Sequence, residues 1–165
     1  MTDVDDCLFA WNDAFMDWAS IHYPEYDPVD DAFSQWNIWE KFSNITKDQA
    51  EAMLKHFNTS ARQAFMPPKL DAVEYVNRLI KEGWRFIAIT SVSDDPEVWK
   101  LRKMCLDTMF PGGCIELHCL ALHQPKKDFL IKWQGKDYYW IEDKLKNAVA
   151  GHELGFKTII IDHPY

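Results

Sequence analysis

Two periodicities divide the chain, and the change falls at Pro67-Pro68. Beyond it, Leu70, Val73, Val76, Leu79 and Ile80 recur at helical spacing, so Lys69 to Glu82 is expected to be a helix that Gly83 ends. Arg85 to Thr90 follows as an apolar run of strand length. Asp94-Asp95-Pro96-Glu97 then supplies an N-cap, a capping-box acid and an early proline, opening a helix to about Met109 before Pro111-Gly112-Gly113. Cys114 to Ala121 is the next expected strand, Lys127 to Trp133 a short helix, and Tyr138 to Glu142 a strand. Leu145 to Leu154 is expected to be a helix stopped by Gly155, with a final strand at Lys157 to Ile161. Strands alternating with helices imply a parallel sheet covered on both faces.

Residues 9 to 65 carry no such strands. Trp11 to His22, Asp31 to Phe42 and Thr46 to Phe57 each have helical patterning, separated by Pro24, Pro28 and Ser43-Asn44. This segment is a helical insertion rich in aromatic residues. Most of those rings are expected to pack the insertion's own small core. A subset could instead form a stacking wall for a planar ligand, and Phe33, Trp36 and Trp39 are the candidates because their spacing places them near one helical face.

Composition narrows the class. A chain of 165 residues with 47% hydrophobic content is long and apolar enough for one globular domain with a small insertion. The formal charge of −8 argues against wrapping polymeric nucleic acid, whose affinity comes mostly from many Lys and Arg contacts with phosphates. A small phosphate ester stays compatible with that charge if a few lysines sit locally. Cys7, Cys105, Cys114 and Cys119 follow neither a Cys-x-x-Cys spacing nor a dense secreted framework, which favours reduced thiols in a cytoplasmic protein. No apolar stretch approaches the roughly 18 residues of a membrane span, and no leader-like region opens the sequence.

The chemistry-bearing residues gather at the ends of the expected strands. Asp3 and Asp5 stand two apart; in extended backbone such side chains share a face, so both carboxylates can converge on one small volume. The other strand ends carry Thr90-Ser91, Glu142-Asp143 and, in the loop after the third run, Lys126-Lys127. Singly, these have structural readings as turn residues, a solvated loop and a helix cap. Together they suit phosphoryl chemistry, because ligands bind beyond the carboxyl ends of parallel strands. Two carboxylates can serve attack and proton transfer, hydroxyl and ammonium groups can donate to phosphoryl oxygens, and further carboxylates can hold a hard cation.

In these four segments, Asp3-Val4-Asp5-Asp6-Cys7-Leu8, Ile89-Thr90-Ser91, Lys126-Lys127 and Ile141-Glu142-Asp143, the chain resembles the haloacid dehalogenase-like phosphohydrolase superfamily. The likeness spans nearly the whole sequence and is similar in detail to the 5'(3')-deoxyribonucleotidases. It implies an α/β fold: a Rossmann-like parallel sheet flanked by helices, formed by residues 1–8 and 66–165, with residues 9–65 inserted as an α-helical C1 cap. Because only Met1 and Thr2 precede Asp3, the first core strand is expected to be missing or truncated. The resemblance implies that Asp3 is the nucleophile and Asp5 the acid and base. Mg²⁺ would be held by Asp3, the Asp5 carbonyl and Asp143, with Glu142 acting through water where the nucleotidases commonly have Asp. Thr90, Ser91 and one of Lys126 and Lys127 would bind the phosphoryl group, with Lys126 favoured. The expected activity is a Mg²⁺-dependent phosphomonoesterase acting on a small phosphorylated substrate, most naturally a nucleotide. The alternatives are the same chemistry on another small ester, or a non-catalytic binding protein on the same fold.

Overall fold

The computed structural model describes residues 1–163 of the chain. It is a mixed α/β protein whose strands are short and parallel: β1 Phe86–Ser91, β2 Cys114–Leu120, β3 Tyr139–Glu142 and β4 Lys157–Ile160. Between them run α4 Pro96–Met109, α5 Lys126–Leu130 and α6 Leu145–Glu153, with α1 Trp11–His22, α2 Lys47–Asn58 and α3 Leu70–Lys81 preceding β1. The side chain of Asp95 caps α4 by accepting from the Glu97 amide at 2.9 Å, with Pro96 in its first turn. Gly83 and Gly155 end α3 and α6 at φ of 101° and 89°, a conformation that side chains disfavour.

The β1–β2 pair and the β3–β4 pair are not hydrogen-bonded to one another. Residues Met1 to Asp3 lie between them. Thr2 bridges Ala88 on one side and Ile141 on the other, both in parallel sense. The Thr2 amide donates to the Ile87 carbonyl at 3.0 Å, and the Thr2 carbonyl accepts from the Ile89 amide at 2.9 Å. Towards β3, the Asp3 amide donates to the Ile141 carbonyl at 2.8 Å, and the Ile141 amide donates to the Met1 carbonyl at 3.1 Å. The strand order is therefore β2, β1, residues 1–3, β3, β4. Of the two expectations for the first core strand, missing or truncated, it is not missing: Met1 to Asp3 take the central place, because main-chain groups of both neighbours bind them.

In the helical segment, the expectation of a helix over Asp31 to Phe42 fails. Two single 3₁₀ turns, Ala32–Ser34 and Ile38–Glu40, flank extended backbone at Gln35 and Asn37. The buried ammonium of Lys41 donates to the carbonyls of Ala32 and Gln35. In an α-helix those carbonyls would accept from the amides of Trp36 and Trp39, so the lysine competes directly with the helical ladder. Phe33, Trp36 and Trp39 consequently do not share a helical face.

The insertion's rings do not pack a core of their own either. Phe15, Trp18 and Phe57 belong to one continuous cluster with Ala88, Leu106, Phe110 and Cys114 of the α/β part. Its two connecting segments are paired, Phe9 bridging Pro68 and the Ala10 amide donating to the Pro67 carbonyl at 2.8 Å. The apolar stripe of α3 is split: Val76 and Ile80 pack on this cluster, whereas Leu70 and Leu79 are exposed. No helix among the described residues is long and apolar enough to cross a membrane.

Replacing Thr2 by proline tests the central ladder, since it removes the amide that binds the Ile87 carbonyl and leaves that acceptor unpaired. Urea unfolding should show a loss of about 1–3 kcal/mol. Thr2→Val keeps the main-chain bonds and should cost less than half as much; equal costs would put the effect in the side chain.

Candidate functional site

The carboxyl ends of residues 1–3, β1 and β3 open into one cleft of about 850 Å³, lined on the other side by residues of the helical segment. The cleft brings together Asp3, Asp5, Thr90, Ser91, Lys126, Lys127, Glu142 and Asp143, together with Trp36 and Trp39. Phe33 is not among the lining residues and is half exposed; its carbonyl accepts from Asn12 Nδ2.

Asp3 is fixed by its main chain in the ladder and by its own amide neighbour, since Oδ1 accepts from the Val4 N–H at 2.7 Å. Beyond Asp3 the chain winds into a single tight turn, in which the Leu8 and Phe9 amides both donate to the Val4 carbonyl and Asp6 takes a φ of 53°. That turn redirects the chain towards the helical segment and leaves Asp5 beside Asp3 in the cleft.

Three carboxylates, of Asp3, Glu142 and Asp143, offer oxygens that all lie within 4.8 Å of one another. Lys126 is buried among them, paired with Asp3 Oδ2 and with Glu142 Oε2 at 3.0 Å. Burial opposes a charge on Lys126, but Asp3 and Glu142 outweigh it and hold the ammonium above its ordinary pKa. Burial, then the charge of Glu142, raises Asp3 to about 7 against the pull of Lys126. Burial and Asp3 raise Asp143 to about 6. Burial likewise raises Glu142. One cation among three carboxylates leaves an excess of negative charge, and an all-oxygen set with that excess is the donor chemistry that suits a hard dication. Glu142 and Asp3 are each committed on both oxygens, Glu142 to Lys126 and to the Lys144 amide at 3.1 Å, Asp3 to Lys126 and to the Val4 amide at 2.7 Å.

Asp5 stands apart from that cluster. Its carboxylate is gripped by Arg102 Nη2, at 2.6 Å and 2.8 Å to its two oxygens, and accepts from Thr90 Oγ1 at 3.2 Å. Burial raises the Asp5 pKa, opposed first by Arg102 and then by Thr90. The Thr90 hydroxyl is therefore spent on Asp5, leaving Ser91 as the partly exposed hydroxyl at this strand end. Of the lysine pair, Lys126 enters the carboxylate cluster, whereas Lys127 is half exposed and pairs with Glu153 at 2.6 Å. Trp36 carries the Lys144 ammonium 4.7 Å from its ring centroid, and Trp39 likewise carries Lys47 at 4.7 Å. The four cysteines are free and buried, and burial raises the Cys7 thiol, so it stays protonated.

Sequence reasoning missed Arg102. A signal was present: with Val98, Cys105 and Leu106 it occupies the buried stripe of α4, and an arginine on an apolar stripe needs a buried anion. It also missed Asn12, Asn58 and Lys41, which line the cleft from the helical segment and carry no local sequence cue.

No family model matches the chain. It is 24% identical over 144 residues to an uncharacterized 32.4 kDa protein in the Gp30-rIII intergenic region of Enterobacteria phage T4, a match that takes in 84% of this chain and 50% of that protein. The chain thus spans about half the length of that relative.

Because Asp143 titrates near 6 when folded and near 3.8 when unfolded, its contribution to stability is present below pH 4 and lost as pH rises through 6. In EDTA at pH 7–8, Asp143→Asn should therefore raise stability by on the order of 1 kcal/mol, discounted for the residue's partial exposure, and this gain should vanish towards pH 4. A gain that does not change with pH would mean Asp143 carries no electrostatic strain.

Proposed function

We propose that the chain is a Mg²⁺-dependent phosphomonoesterase of the haloacid dehalogenase-like kind, acting through an aspartyl-phosphate and taking a nucleotide as substrate. The observation that carries this reading is the convergence of Asp3, Lys126, Glu142 and Asp143 at the carboxyl ends of adjacent parallel strands, with Asp5 alongside in the same cleft. A loosely held Asp3 would have favoured a binding protein instead; its place in the main-chain ladder supports catalysis.

Asp3 and Asp143 would hold Mg²⁺, with Glu142 behind them. When bound, the ion supplies positive charge that lets an anionic nucleophile approach an anionic phosphate. Asp3 then forms a bond to phosphorus as the bond from phosphorus to the leaving oxygen breaks, and Asp5 in its acid form gives that oxygen a proton. In the second step a water oxygen attacks the phosphorus, Asp5 takes the water's proton, and the bond to Asp3 breaks to release phosphate. Burial favours the acid form that the first step needs, while Arg102 and Thr90 stabilise the carboxylate that the second step needs. Lys126 and Ser91 stand where they can donate to phosphoryl oxygens, and Lys126 screens the Asp3 charge. Trp36 and Trp39 on the opposite wall provide the planar surface that suits a base.

Phosphate release from a panel of nucleoside monophosphates and sugar phosphates, in Mg²⁺ or EDTA, tests the reading. Release should require Mg²⁺ and favour the nucleotides. Asp3→Asn should lower kcat on the order of 10³-fold or more while leaving the circular dichroism unchanged; full activity would sink the assignment. Trp36→Ala should raise KM for the preferred nucleotide by ~10-fold, as expected for one lost stacking contact, and leave 4-nitrophenyl phosphate nearly unaffected. Equal losses on both substrates would make Trp36 structural.

A further inference from the structure

Among the described residues two that are not glycine have positive φ, Asp6 at 53° and His123 at 69°, and both line the same cleft. The Asp6 conformation is held from several sides. Its amide donates to the Phe9 carbonyl at 2.8 Å, its Oδ1 accepts from the Asn12 N–H at 3.4 Å, and its carbonyl accepts from His163 Nε2 at 2.9 Å. His123 has no such support. It takes the third place of the turn Ala121-Leu122-His123-Gln124, which the Gln124 amide closes by donating to the Ala121 carbonyl at 3.1 Å. At positive φ that place favours Gly or Asn, and histidine tolerates it less well than glycine. The imidazole is exposed, and among the described residues no hydrogen bond, ion pair or ring contact engages it, so no contact within the fold explains the ring. Side chains kept in such conformations cluster where a binding or catalytic site uses them.

The register of the sheet fixes how high that turn stands. Ser91 pairs with Leu120, and the Val92 amide donates to the Leu120 carbonyl at 3.1 Å, so β1 and β2 reach the floor of the cleft together. Ala121 to Gln124 run beyond that level before the chain returns to Lys126, whose ammonium pairs with Asp3. His123 therefore stands above the reacting groups, on the way to the wall made by the helical segment. We propose that His123 is a substrate-binding residue whose imidazole contacts the organic group of the phosphate ester and not its phosphoryl group. This rests on the phosphomonoesterase reading and adds a residue that sequence reasoning did not single out. An imidazole offers two ring nitrogens for hydrogen bonds and a flat face for stacking, so the group it takes is hydroxylated or planar, as in a nucleoside.

The test compares the unaltered chain with His123→Gly and His123→Asn. It combines urea unfolding, equilibrium binding of nucleoside monophosphates and of inorganic phosphate in EDTA, and phosphate release in Mg²⁺. His123→Gly suits the turn better than histidine does, so its unfolding midpoint should not fall. Nucleotide binding and kcat/KM should nevertheless weaken by ~5-fold, as expected for one lost hydrogen bond. Inorganic phosphate, which has no organic group, should bind and inhibit within about twofold of its effect on the unaltered chain. His123→Asn, equally suited to the backbone but shorter, should show the same split. Unchanged nucleotide binding and kcat/KM in both variants overturn the inference, because the ring is then idle. An equal loss on inorganic phosphate overturns it by placing the ring on the phosphoryl group, and a lower unfolding midpoint for His123→Gly overturns it by making the ring structural. Phosphate release that does not depend on His123 keeps the hydrolase and removes this contact. Binding that depends on His123 without any release keeps the contact and removes the hydrolase, and a chain that neither binds nor hydrolyses a nucleotide removes both.

Discussion

The main-chain ladder at Met1 to Asp3 is the constraint on which the molecule depends. Two pairs of parallel strands have no hydrogen bonds to one another, and Thr2, bridged to Ala88 and to Ile141, joins them into one sheet. Without it, β1 and β3 would each present an unpaired inner edge, and their polar main-chain groups would need other partners in a buried place. The same bonds set the position of Asp3. Its amide is committed to the Ile141 carbonyl, so the side chain emerges at a fixed height between Thr90 and Glu142. Sheet integrity and site geometry are thus one requirement.

Charge is the second organising condition. Around Lys126 the protein places more carboxylates than one ammonium can balance; burial first, and the neighbouring carboxylates after it, raise the pKa values of Asp3, Asp143 and Glu142. A few residues away the arrangement is reversed, with Arg102 buried whole to hold Asp5. A lone buried guanidinium or carboxylate would be prohibitively costly, but the contact of Arg102 Nη2 with both Asp5 oxygens satisfies both groups in part. Two neighbouring aspartates therefore occupy different electrostatic settings, as the proposed division of labour between nucleophile and proton carrier requires.

Much of this was legible in the chain because it is local. The strands and helices after Pro68 follow apolar periodicity, caps and glycine stops, and the structure places them within a residue or two of the sequence expectation, except that the expected helix over Lys127 to Trp133 is α-helical only to Leu130 and ends in a 3₁₀ turn. The residues at the strand ends could be named for the same reason, since parallel strands send their carboxyl ends to one side. The helical segment behaved differently. Its aromatic spacing over residues 31–42 is compatible with a helix, and only a lysine buried across nine residues of chain, at Ala32 and Lys41, redirects the carbonyls that the helix would have used. Such competition between a side chain and a backbone ladder has no one-dimensional signature.

The sequence by itself determined the alternation of strand and helix, the spacing of Asp3 and Asp5, and the set of polar residues at the strand ends, because each follows from neighbours a few positions apart. The tertiary structure alone decided that Met1 to Asp3 take the central place in the sheet, since that depends on two partners more than eighty positions away in the chain. It also decided between the two lysines: Lys126 turns inward to buried carboxylates and Lys127 outward to Glu153, a choice made by the direction of α5 against the sheet. The pairing of Arg102 with Asp5 belongs to the same class. Each is a balance of desolvation against partners that only folding brings within reach.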